Sequence, residues 1–120
     1  MPIDYQELLG HLKMDKRRNV VQISSGRTVS VDDINSYLRT NGTSAFIVSI
    51  PTCANVPLAI GSWFTLKQAG TGQVTFVGES GVSILVQSSA SLQTAKVGAV
   101  VEVIKVDSDT WDINYDVSAK

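Results

Sequence analysis

The sequence predicts a mostly β chain: a compact antiparallel β-sandwich or barrel, jelly-roll-like, with a short N-terminal arm that has room for a helix. Three observations carry this. Short runs of β-branched and aromatic residues alternate with polar ones and are separated by Gly, Pro, Asn or Asp. Charged residues make up only 18%, against about 25% in ordinary soluble domains, and Ser, Thr, Gly, Asn and Gln fill the deficit, as suits strand surface and turns. The length of 120 residues sets one domain, able to bury roughly 65–70% of its unfolded surface.

The arm spans 1–27 and the β-domain 28–120. Residues 4–13 fit a short amphipathic helix capped by Asp4, with Leu8, Leu9 and Leu12 on one side. Gly10 weakens it by about 1 kcal/mol, and so short a helix needs a surface to lie on. Lys13, Lys16, Arg17 and Arg18 then form the densest charge cluster in the chain. It reads either as a solvated linker or as a dock for an acidic partner surface.

From Asn19 the character becomes β. VVQIS (20–24) and RTVSV (27–31) bracket Ser25-Gly26, a hairpin turn or a bend. Ser30 and Asp33 have capping-box spacing, which gives a brief turn at 32–36 before a strand through Tyr37 and Leu38. Asn41-Gly42 reads as a hairpin turn into AFIVSI (45–50), ended by Pro51. Residues 51–60 form an irregular crossing, with Val56, Leu58 and Ile60 expected to plug one end of the core. The stretch Gly61–Gly81 reads as strand, Gly-Thr-Gly turn, strand: a tight antiparallel hairpin with Phe64, Leu66 and Gln68, then Val74 and Phe76, on the buried face. Gln68 is polar on that face, so its amide should pair with a backbone group or meet another subunit. VSILVQS (82–88) is a further strand, and 88–98 an exposed connection. AVVEVIKV (99–106) is apolar enough to be covered on both faces. TWDINY (110–115) returns antiparallel, with Trp111, Ile113 and Tyr115 pointing one way. This makes seven or eight strands, with no repeat of solenoid type.

The chain shows no catalytic, cofactor-binding or metal-binding constellation. His11 lies four residues before Asp15, a helical surface pair without further ligands. Cys53 has no base beside it, so a buried inert thiol is the simpler reading. Gly70-Thr-Gly72 lacks the Lys-Ser/Thr ending of a phosphate loop. Asp107, Asp109, Asp112 and Asp116 fail the calcium-loop pattern at Asp112 and Ser118. The net charge of −1 argues against nucleic acid as a partner. No apolar run approaches the ~20 residues of a membrane span, and the acidic N-terminus is unlike a signal peptide, so synthesis in a cytoplasm without secretion by that route is expected.

Across 37–116 a set of short motifs stands in order: Pro51 ending a strand, Ile60-Gly61, Gln68 before Gly70, Gly72, Val74 and Phe76, then Gly81-Val82, then Asp109 and Trp111. The combination resembles a domain of tailed-bacteriophage virion proteins, found in tail-fibre chains and in small head-decoration proteins. The resemblance covers about two thirds of the chain, fails at 88–98 and before residue 28, and implies a β-rich assembly module, commonly trimeric, without catalytic residues. The expectation is a virion protein: a head decoration or cement protein that binds the major capsid protein as a homotrimer, with Lys13, Lys16, Arg17 and Arg18 in its contact arm. The alternative is a tail or tail-fibre component contacting other virion proteins or a host receptor.

Overall fold

A computed structural model describes residues 18–88 and 90–119. The expected helix at 4–13, His11, and Lys13, Lys16 and Arg17 lie outside the described residues. Eleven strands follow one another: β1 (Asn19–Ile23), β2 (Arg27–Thr28), β3 (Ser36–Thr40), β4 (Phe46–Ile50), β5 (Trp63–Gln68), β6 (Val74–Gly78), β7 (Ser83–Leu85), β8 (Ala90–Thr94), β9 (Val100–Asp107), β10 (Thr110–Tyr115) and β11 (Val117–Ala119). They form a sandwich of two sheets. The first has the order β1-β3-β5-β9-β10-β7, the second β11-β8-β6-β4-β2.

The fold class is the mostly β sandwich that the alternation predicts, but its sheets are mixed. Through β6 the chain alternates between sheets, so β1, β3 and β5 pair in parallel in one while β2, β4 and β6 pair in parallel in the other. These are stacked coils joined by corners, not hairpins. The expected hairpins at Asn41-Gly42 and Gly70-Thr-Gly72 are therefore corrected: each flanking pair of strands sits on opposite sheets. The physical reason is simple. Two strands in a hairpin, or facing each other across a core, both present every second residue to the interior. Successive coils are also unequal, running from Asn19 to its partner Ser36 and from Tyr37 to its partner Thr65. The longer one holds the crossing at 51–60, so the winding leaves no fixed repeat in the sequence. The second half reverses direction, β9 pairing antiparallel with β5 and β10, and β8 with β6 and β11.

The glycines of 70–72 serve these corners by close approach. A Cβ on Gly70 would lie 2.1 Å from the Gly42 carbonyl oxygen, and one on Gly72 2.2 Å from that of Ser44. Gly72 N–H donates to Gly42 O at 3.1 Å, and Ala69 N–H to Thr40 O at 3.2 Å. One corner thus rests on the backbone of the corner before it, which no side chain would permit.

Between the sheets lie Leu38, Phe64, Leu66, Val101, Val103, Trp111 and Ile113 from the first, and Val48, Ile50, Val74 and Phe76 from the second. The turn at Val31–Asp33 is a 3₁₀ helix closed by the Ser30–Asp33 capping box. Buried Asp33 also accepts an ion pair from Arg27 at 2.8 Å. Several boundaries move. β1 belongs to the sandwich, so the β-domain includes residues from Asn19 onward, ahead of the boundary expected at residue 28. Leu58 plugs the core but Ile60 is exposed. Residues 88–98 contain β8, whose Thr94 is fully buried. β9 is covered on one face, where Lys105 points inward and its Nζ donates to Leu58 O at 2.6 Å.

Candidate interaction surfaces

Strand register assigns the outward side chains. On the second sheet, Thr28 pairs with Ser49, Ser49 with Val77, Ile47 with Thr75 and Thr75 with Gln93. Alternation adds Ser91 on β8 and Ser118 on β11. None of these outward residues carries a charge. Ile47 and Val77 are exposed on neighbouring strands, and Gln93 Nε2 donates to Thr75 Oγ1 at 3.2 Å, so part of the polar capacity is met internally. An uncharged face of this kind can be covered without desolvating an ion.

The first sheet differs in kind. One row across its outer face is Val20, Tyr37, Thr65, Glu102 and Asn114. The next is Trp63, Ile104, Asp112 and Leu85. A third brings Gln22, Arg39, Lys67 and Val100 into line. Cations occupy the β3–β5 side and carboxylates the β9–β10 side. Arg39 and Lys67 are direct neighbours of like charge, an unfavourable pairing in a sheet.

Arg18 lies across this face. Its guanidinium stacks on Trp63, 4.4 Å from the ring centroid, with Tyr37 at 5.6 Å. Nη2 donates to Thr65 Oγ1 at 2.6 Å and to Ser36 O at 3.4 Å. Of the four basic residues singled out in the arm, Arg18 is thus engaged with its own sheet. The contact ties the start of β1 to β3 and β5 through cation–π stacking and a charge-assisted hydrogen bond.

The motif residues form a buried seam. Gln68 Nε2 donates to Gly70 O at 3.1 Å, while its Oε1 accepts from Thr94 Oγ1. Thr94 Oγ1 in turn accepts from Val74 N–H at 3.0 Å, and Gln73 Nε2 donates to Thr94 O at 2.8 Å. A single polar chain therefore links β5, the glycine corner, β6 and β8 across the sandwich. Thr94 was hidden from sequence reasoning because its neighbourhood of Ser, Ala and Gln reads as loop. Phe76 and Trp111 fill the core, and Trp111 Nε1 is buried without a hydrogen-bond partner among the described residues.

Cys53 is half-buried, its N–H donating to Asp109 Oδ1 at 2.8 Å. That contact ties the 51–60 crossing to the β9–β10 turn. Among the described residues no three His, Cys, Asp or Glu side chains converge as metal ligands, and no helix is long and apolar enough to cross a membrane. Comparison with known proteins finds no matching family model, no matching curated protein and no matching solved structure.

Proposed function

We propose that this chain is a structural protein of a tailed-phage virion, a head decoration protein that binds the capsid as a homotrimer. The observation that carries the reading is the uncharged outer face of the second sheet. Three such faces turned toward a common axis would meet without placing like charges together. The charged face of the first sheet would then remain outward, and Lys13, Lys16 and Arg17 would supply contacts to acidic groups on the major capsid protein. The motif resemblance across 37–116 supports the same reading. A trimer bridging neighbouring capsomers multiplies modest contacts through effective concentration. By binding only the mature lattice it stabilises that lattice by mass action.

Mixing the purified chain with empty expanded capsids and sedimenting them tests the proposal. Saturable co-sedimentation at many copies per particle is the expected result. A trimer that stays in the supernatant would move the assignment to the tail, as an adaptor or a receptor-binding tip. A clean monomer by light scattering would remove the assembly reading altogether.

A further inference from the structure

We propose a binding site for a neutral saccharide in the groove beside β10. This does not rest on the virion reading, because it concerns a different part of the surface. β7 pairs with β10 only from Thr110 to Asp112. Beyond Leu85 the chain leaves that edge, and a half-open groove of about 290 Å³ remains, lined by Leu85, Gln87, Asp112, Asn114 and Tyr115 among others.

Tyr115 is the reason to read the groove as a site. Its φ is 81°, in the left-handed region where a residue with a bulky side chain is strained. The molecule uses glycine at Gly61, Gly81 and Gly98, and asparagine at Asn35, where φ is positive. Glycine would turn the corner from β10 to β11 equally well. Packing does not explain the tyrosine, for the residue is 69% exposed. An exposed aromatic residue lining a groove, kept there at a backbone cost, is a platform for something that stacks on it.

The polar lining selects the ligand. Among the described residues no side-chain hydrogen bond or ion pair occupies Gln87, Asp112 or Asn114. Two amides and a carboxylate offer donors and acceptors suited to vicinal hydroxyls. The C–H face of a pyranose ring matches the tyrosine face, as apolar surface does on aromatic side chains generally. Among the described residues the lining contains no cation and one carboxylate, Asp112, which disfavours phosphate and acidic sugars.

The probes are methyl glycosides of glucose, galactose, mannose and N-acetylglucosamine, with free sialic acid as the acidic control. Each is titrated to about 50 mM into the isotopically labelled chain and followed by amide shifts, since weak millimolar binding is expected of so open a site. The expected result is a saturable shift of residues 85–87 and 112–115 with at least one neutral glycoside and none with sialic acid. Tyr115→Gly should keep the unfolding midpoint, because the strain is relieved, yet weaken binding by about tenfold. Tyr115→Asn serves as a second variant that tolerates positive φ.

Binding that survives both substitutions would overturn the proposal, as would the absence of any saturable shift with the four neutral glycosides. Unfolding of both variants would make the ring structural and overturn it too. Saturable shifts with an extended peptide but with no glycoside would assign the groove to strand addition along β10 instead.

Discussion

The outer faces of the two sheets are built by the same alternation, yet one is neutral and the other is charged and aromatic. On the second sheet, Thr28, Ile47, Ser49, Thr75, Val77 and Gln93 leave nothing that resists being covered. On the first, Arg39 and Lys67 lie on the β3–β5 side and Glu102 and Asp112 on the β9–β10 side, and Arg18 crosses over Trp63. Core packing cannot produce this difference, because both sets point away from the core. One face therefore suits contact with identical copies, while the other suits a partner of complementary charge or solvent.

Charging the neutral face has the largest expected effect. Val77→Lys should abolish self-association in light scattering while leaving circular dichroism unchanged, since like charges brought together cost several kcal/mol, on the order of a whole weak interface. Intact trimers in that variant would place the interface elsewhere. A change at the corner strikes both faces together. Gly72→Ala drives a methyl group against Ser44 O and should lower stability by about 3 kcal/mol in urea unfolding. A loss below about 1 kcal/mol would mean that the corners do not hold the sheets in register.

Smaller changes sharpen the charged face. Arg18→Ala removes the stack on Trp63 and the bond to Thr65, for a loss of about 1–2 kcal/mol. The emission of Trp63 should change with it, and an unchanged spectrum would show that the stack does not persist in solution. Lys67→Glu replaces the like-charge neighbour of Arg39 with an opposite one. It should raise stability by about 0.5 kcal/mol at low salt, with the gain fading as salt is added. A salt-independent gain would point to packing in place of charge.

The stretch from Gly61 to Gly81 shows how much of the fold was legible. Alternation located Phe64, Leu66, Gln68, Val74 and Phe76 on buried faces, and all five are buried. It could not reveal that β5 and β6 belong to opposite sheets, since period two records which way a side chain points and not which strand lies beside it. The same blindness made Asn41-Gly42 a hairpin and hid the parallel coils. At 88–98 the error was compositional: Ser, Ala and Gln form a strand there because Thr94 has Gln68 and Val74 to bond with. On the surface, the basic run that ends at Arg18 was visible as charge, but its stacking on Trp63 was not. Alternation puts Tyr115 on one face with Trp111 and Ile113, yet those two are buried and Tyr115 is exposed, because positive φ leaves no mark in an alternating pattern.

By itself, then, the sequence determined the class of structure, the 3₁₀ turn closed by Ser30 and Asp33, the β9–β10 return, and most of the core. All of these rest on interactions between near neighbours or on the inside–outside preference of single side chains. Only the tertiary structure decided the parallel stacking, the Gln68–Thr94 seam, the use of Gly70 and Gly72 for close approach, and the contrast between the two outer faces. Each of those depends on residues far apart in the chain being brought into register. Register is a property of the whole packed sandwich, set when both sheets bury their inner faces together.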